Sequence, residues 1–305
     1  MTTPALFSLA PVAPPPWSRA LVTAGTGFLG SHLCERLLDA GVEVDCLAGP
    51  AALSGDVAHL VDGPGFRLLE HDLARSDRPA SPAGPYDLVL HVPPPGADAV
   101  GTRTALALAE RDDARFLLVS PCAPHAPERL AEALTTAHAA DKGADAGIVR
   151  AFPAYGPRMG PRDGGGLIPA LIRQALAGGP VTVPGDGTAT PSLCYVDDLV
   201  DGVLLVAASR SVRPVDIGGD PGASVERIAR RVIELTGSRA RLEFGGPPAD
   251  DPEPPRPETG FAHELYGWTP RILWEDGLKR TLAAFQDRGD RGDRVGRVGL
   301  GEDGP

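Results

Sequence analysis

Residues 19–40 admit few architectures. Arg19–Thr23 (RALVT) is a short apolar strand. It runs into the turn Ala24-Gly25-Thr26-Gly27, and Ser31–Ala40 (SHLCERLLDA) then places Leu33, Leu37 and Leu38 on one helical face before Gly41 stops the helix. A strand, a glycine turn and an amphipathic helix in that order form half of a strand–helix–strand unit. Such a unit is stable only inside a parallel sheet covered on both faces.

The rhythm continues downstream. Val42–Leu47, Phe66–Glu70, Asp87–Val92, Arg115–Ser120 and Gly147–Phe152 read as strands, and Thr102–Arg111 and Glu128–Ala140 as helices. After about residue 153 the alternation loosens. Helices are predicted at Leu167–Leu176, Asp198–Ala207 and Ser224–Leu235, the last with Ser224 as N-cap, and short strands at Val181–Val183 and Arg241–Phe244. The expected architecture is an α/β, Rossmann-type doubly wound parallel sheet with a smaller C-terminal α+β lobe. The expected divisions are a flexible Pro-rich arm (1–17), a Rossmann-type nucleotide-binding domain (18–152), a stretch that is mainly a small substrate-side lobe (153–286) and a disordered Gly/Asp/Arg tail (287–305).

Composition narrows the partners. The formal charge is −11 with no basic stripe, which argues against nucleic acid. No run approaches 18 apolar residues, so no membrane span is predicted, and the N-terminus lacks the basic region of a signal peptide. The four cysteines (Cys34, Cys46, Cys122, Cys194) form no CxxC and the seven histidines no HxxxH. A reducing cytoplasm fits, and no metal site is expected.

Glycines in the first turn let backbone approach a diphosphate while the helix start supplies amide donors. The segment Thr23–His32 (TAGTGFLGSH) resembles the TGGxGFxGSH fingerprint of extended short-chain dehydrogenases/reductases. Arg150–Met159 (RAFPAYGPRM) resembles RxFNxYGPRM, Tyr195–Leu199 (YVDDL) resembles YVxDL, and Tyr266–Pro270 (YGWTP) resembles LGWxP. Over residues 19–285 the chain is most similar to UDP-glucuronate decarboxylases (UDP-xylose synthases) within the NAD-dependent epimerase/dehydratase group.

That resemblance implies NAD on the sheet, held by Gly25, Gly27, Phe28, Leu29 and Gly30, with Asp72 as adenine contact or, alternatively, as a loop cap. It implies a nucleotide sugar in the lobe, and a Tyr with a Lys four residues later to assist hydride transfer. Here the pattern departs. The residues four beyond Tyr86, Tyr155, Tyr195 and Tyr266 are Leu90, Met159, Leu199 and Pro270, so no YxxxK exists. Aligning the helix puts Pro124 at the Tyr position and Glu128 at the Lys position, and Pro121 where the strand-end Ser or Thr belongs. Ala24 replaces the first fingerprint glycine, and Ala48 the acid that would hold the adenosine ribose, with no Arg nearby to favour NADP. Pro153, Gly165, Pro169, Ala189 and Pro191 replace nucleotide-sugar contacts. An NAD site is expected, but a weakened one.

Other groups could carry chemistry. His91 ends the fourth strand and is a candidate base, or a histidine held by neighbouring backbone. Cys122 could pair with His125 as a nucleophile, or be a small strand-end residue. Tyr155 could be an acid and Arg158 an anion contact, or a packing aromatic and an ion-pair partner. Ser120 and Arg158 are candidate substrate contacts. Three functions follow: a repurposed enzyme acting on a small molecule without Tyr/Lys chemistry, a non-catalytic partner subunit, or a nicotinamide-dependent decarboxylase or epimerase with an unusual acid. A homodimer through the helices carrying Leu106, Leu108, Leu130 and Leu134 is expected.

Overall fold

The computed structural model describes residues 16–49, 56–73, 84–94, 96, 97, 99–122, 126–160, 166–245 and 256–298, with side chains to 287. Its centre is a seven-stranded sheet ordered β10-β6-β5-β4-β1-β2-β3, parallel throughout. The strands are β1 (Arg19–Thr23), β2 (Glu43–Ala48), β3 (Phe66–Glu70), β4 (Leu88–His91), β5 (Arg115–Pro121), β6 (Ala146–Ala151) and β10 (Val215–Ile217). The order reverses between β1 and β4, which opens a crevice at the strands' carboxyl ends.

Alternation along each strand decides which side chains meet which layer. On one face Val22, Val44, Cys46, Leu90 and Leu117 pack with Leu33 and Leu37 of α1 (Phe28–Asp39) and with α5 (Val196–Ala208). On the other, Leu21, Val89, Phe116, Leu118 and Ile148 pack with α2 (Ala99–Asp112) and α3 (Ala126–Lys142). Each fully buried leucine contributes roughly 1.5–3 kcal/mol relative to exposure. A polar cluster pins the amino ends. Asp45 of β2 takes hydrogen bonds from Arg19 of β1, from Arg67 of β3 in a bidentate pair at 2.8 Å, and from the Tyr86 hydroxyl. Burial pushes the Asp45 carboxyl up, against the pull of the Tyr86 hydrogen bond and the Arg19 charge.

The lobe is built from α4 (Leu167–Leu176), β8 (Val181–Val183), α6 (Val225–Thr236), β11 (Leu242–Phe244), α7 (Gly260–Tyr266) and α8 (Trp274–Val298), with a two-residue pairing of β7 (Ala154–Tyr155) to β9 (Cys194–Tyr195). Ser224 caps α6 as expected, its hydroxyl accepting from Arg227 N at 3.3 Å, and Gly237 ends the helix in the left-handed region.

Three features run across the expected divisions. Trp17, assigned to the arm, packs against the core; residues 1–15 lie outside the described residues. The 152/153 boundary does not divide the sheet, because β10 and α5 from the second half complete it. The apolar Val215 and Ile217, both fully buried, pair there with β6. The tail, expected to be disordered from 287, continues α8 to Val298, and only 299–305 fall outside the described residues. No proline interrupts that stretch, and Asp precedes Arg by four residues at 287/291, 290/294 and 293/297, a spacing a helix favours.

Candidate functional site in the carboxyl-edge crevice

The turn after β1 forms the crevice floor. Gly27 is the N-cap of α1 in extended conformation; it brings no capping side chain, and no acid stands in the first turn. The helix start is therefore open to an anion. Gly25 and Gly30 are required by close packing. A Cβ on Gly25 would lie 2.6 Å from Cys46 Sγ, and one on Gly30 would lie 2.5 Å from the Ala24 carbonyl oxygen. Phe28 is buried, edge-on to His32 with ring centroids 5.6 Å apart, while Leu29 is half-buried. Ala24 adopts φ +47°, the left-handed region where a glycine would be unstrained. β2 ends at the buried Ala48, and His71 N donates to the Ala48 carbonyl at 2.8 Å. Asp72 follows, half-buried at the same edge. These residues fit the diphosphate and adenosine end of a dinucleotide.

His91 is 3% exposed. Its Nδ1 lies 2.9 Å from Thr23 Oγ1 and its Nε2 3.2 Å from Thr102 Oγ1 of α2. Burial lowers its pKa to about 3, so the ring is neutral. Both nitrogens are occupied, and His91 ties β1, β4 and α2 together. The Tyr155 hydroxyl donates to the Trp274 carbonyl at 3.2 Å, its ring stands edge-on to Tyr195, and burial pushes its pKa up. Cys122 follows β5, half-buried. Burial and then the Asp216 charge push its thiol up to about 11. At neutral pH it is protonated and a poor nucleophile. Its proposed base, His125, lies outside the described residues, as do Pro124 and Gly165. Ser120 is buried on the His91 side of the sheet, with one long contact, 3.4 Å, to the Pro121 carbonyl.

Arg158, at φ +69°, reaches back to α1. Its Nη2 donates to His32 Nδ1 at 3.0 Å and to Glu35, which in turn meets His59 Nε2 at 3.1 Å. His32 Nε2 donates to the Pro157 carbonyl at 3.0 Å. Burial, then the Arg158 charge, lowers the His32 pKa to about 4. This chain of polar groups was not legible in the sequence, because its members lie some 120 residues apart. Arg158 Nη1 is buried without a partner and is the donor left for an anion.

Every tyrosine and lysine is accounted for away from the crevice end of β5. Tyr86 bonds to Asp45, Tyr155 to Trp274 and Tyr266 to Ser209, while Tyr195 packs on Tyr155 under Arg280. Lys142 pairs with Glu110 at the far end of α3, and Lys279 with Asp276 on α8. Asp197 and Asp198, read as helix-start acids, do stand in the first turn of α5. Asp198 does more, since its Oδ2 accepts from Arg271 N at 3.0 Å and Ile272 N at 2.8 Å. No group of three metal-ligating side chains occurs among the described residues, and no described helix is long and apolar enough to cross a membrane. A cavity of about 150 Å³ lies elsewhere, between the carboxyl ends of α2 and α3, where Lys142 pairs with Glu110 at 3.1 Å and His138 Nε2 lies 3.8 Å from the same carboxylate.

Residues 20–93 and 109–218 match the model of the NAD dependent epimerase/dehydratase family. The chain belongs to that family. A UDP-glucuronic acid decarboxylase 1 of Xenopus tropicalis is 31% identical over 304 residues, covering 88% of this chain and 72% of that protein. UDP-glucuronic acid decarboxylase 1 of Arabidopsis thaliana is 31% identical over 309 residues, covering 88% and 70%. Solved folds agree. UDP-glucose 4-epimerase of Thermotoga maritima, determined with UDP-glucose, superposes with a TM-score of 0.77 at 23% identity, covering 88% of this chain and 99% of that one. A Bordetella bronchiseptica enzyme in complex with NAD+ and UDP gives 0.78 at 19% identity, covering 92% and 96%.

Proposed function

We infer that this family member holds a nicotinamide dinucleotide and a small molecule in the carboxyl-edge crevice, and works without Tyr/Lys-assisted hydride transfer. The observation that carries the reading is the placement of the four tyrosines and two lysines, all engaged elsewhere in the fold. NAD, when bound, supplies a hydride acceptor. This chain's part is to hold the diphosphate on the open start of α1, with Gly25, Gly27, Phe28, Leu29 and Gly30 shaping the turn, and to place the adenosine over β2 and β3 beside Asp72. Arg158 Nη1 offers an anion contact. With Ala48 in place of a ribose-binding acid, at least one hydrogen bond to a charged group is lost, about 1.5–3 kcal/mol of binding. NAD affinity is accordingly weak.

A purely ligand-binding, non-catalytic role is the second reading. It is favoured by His91 and Tyr155, whose polar atoms are engaged within the fold, and by Cys122, whose thiol stays protonated.

The experiment titrates NAD+ into the full chain by calorimetry, then incubates the protein with NAD+ and UDP-glucuronate while following NADH absorbance and CO₂ release. Weak binding with no CO₂ is expected. Steady CO₂ release would overturn the reading and restore conventional decarboxylation with an unusual acid.

A further inference from the structure

The cavity at the carboxyl ends of α2 and α3 lies at the amino edge of the sheet, away from the crevice. Local sequence puts it there. α2 is followed by Asp113 at φ +54° and α3 by Gly143 at φ +64°. The chain then turns each time directly into a strand, β5 and β6, which are neighbours in the sheet. Two helix ends are thereby set side by side, each bearing the partial negative charge of its last carbonyls. β5 runs from this cavity to the crevice, about 20 Å of strand. No residue that lines the cavity belongs to the crevice.

Floor and mouth differ in kind. Leu106, Ala109 and Phe116, each no more than 4% exposed, give an apolar floor. Glu110, Asp113 and Lys142 stand at the solvent side, and Asp145 is held by Arg115. Lys142 Nζ rests on Glu110, with His138 Nε2 near the same carboxylate. Asp113 makes no ion pair among the described residues. Once Lys142 and Arg115 are set against Glu110 and Asp145, one carboxylate and two helix ends remain uncompensated. The formal charge of −11 adds to the attraction for a cation. A carboxylate or phosphate meets net repulsion here.

Size sets the other half of the ligand. A cavity of about 150 Å³ with an aliphatic and aromatic lining admits a body the size of benzene. The chain also shows which head group the mouth accepts. The ammonium of Lys142 is already seated on Glu110, and with side chains 57% and 46% exposed that pair is weak and exchangeable.

We propose that the cavity binds a small organic ammonium ion. Its apolar body lies on Leu106 and Phe116 and its head between Glu110 and Asp113, while Lys142 is the built-in competitor for Glu110. The site is independent of the dinucleotide reading.

The test is calorimetry of the full chain at neutral pH and fixed salt, with benzylammonium as the probe. Methylammonium lacks the body, benzyl alcohol lacks the charge and benzoate inverts it. Benzylammonium should bind about tenfold tighter than any of the three. Glu110→Gln should weaken it about fivefold. Lys142→Met keeps the stem, removes the competitor and should tighten it about threefold. Both side chains are exposed, so both variants should keep the thermal midpoint. Absence of benzylammonium binding at millimolar concentration overturns the proposal. Equal binding of methylammonium also overturns it, because the cavity is then unused. Unchanged affinity in Glu110→Gln places the probe elsewhere, and weaker binding in Lys142→Met removes the competition; either overturns it. NAD+ titrated into the same samples reports the crevice separately, so failure of one reading leaves the other standing.

Discussion

Ala24→Gly should stabilise this protein, although it removes a methyl group. Ala24 sits at φ +47°, where an L-residue's Cβ crowds the following carbonyl at a cost of about 1–2 kcal/mol. Glycine relieves that but loses more chain entropy on folding, about 0.4–1 kcal/mol. Ala24 is half-exposed, so little burial is forfeited. The net gain is about 0.5–1 kcal/mol. At roughly 2 cal/mol/K of unfolding entropy per residue, this raises the thermal midpoint by about 1–2 °C. Neighbouring glycines supply the contrast. A Cβ at Gly25 would meet two sulfurs, at 2.6 and 3.0 Å, while one at Gly30 would meet backbone at 2.5 and 2.7 Å. Sulfurs on side chains can shift and backbone cannot. Gly25→Ala should therefore cost about 1–3 kcal/mol and Gly30→Ala more. Calorimetric unfolding of the three variants reads the order directly. An Ala24→Gly protein that melts below the unaltered one would refute the reasoning, because the strain at residue 24 would then be smaller than the chain entropy that glycine loses.

Three further outcomes follow from the same contacts. His91 and His32, with folded pKa values of about 3 and about 4, are neutral when buried and take up protons on unfolding. Their contribution is complete above the unfolded pKa of about 6.5 and falls below it, by up to about 1.4 kcal/mol per pH unit each. Denaturant unfolding at pH 7 and pH 5 should show a smaller difference in His91→Gln than in the unaltered protein; an equal difference refutes the assignment. Asp198→Ala leaves Arg271 N and Ile272 N without their acceptor and should cost about 3 kcal/mol in urea unfolding; a change below about 1 kcal/mol would show that water replaces the carboxylate. Of the leucines on the helices expected to dimerise, Leu106 and Leu108 are buried against the sheet and Leu130 is 52% exposed on α3; if the expectation holds, light scattering gives a dimer for the protein and a monomer for Leu130→Asp, and a monomer for both removes the dimer.

The local physics of the fold was written in local sequence. Arg19–Thr23, Phe66–Glu70, Leu167–Leu176 and Val181–Val183 occur with the expected bounds, because alternation, helical periodicity and caps act within a few residues. The two-residue pairing of β7 with β9, and the three-residue β10, gave no such signal. They are set by partners tens of residues away. The candidate site divided in the same way. The glycine turn and the absence of Tyr-x-x-x-Lys could be read from spacing alone. The engagement of His91 by Thr23 and Thr102, of Tyr155 by Trp274 and of Arg158 by Glu35 could not, since each depends on tertiary neighbours.

The origin of β10 bears on how the chain reaches its native state. Residues 18–152 carry six of the seven sheet strands, yet they leave the free backbone edge of β6 (Ala146–Ala151) uncovered until residues 215–217 arrive. During synthesis, some sixty residues beyond β6 must emerge before that edge is capped. In the interval it is a template for pairing with another chain. A fragment cut at residue 152 is therefore expected to be aggregation-prone rather than a free-standing nucleotide-binding module, because it lacks the strand that covers β6.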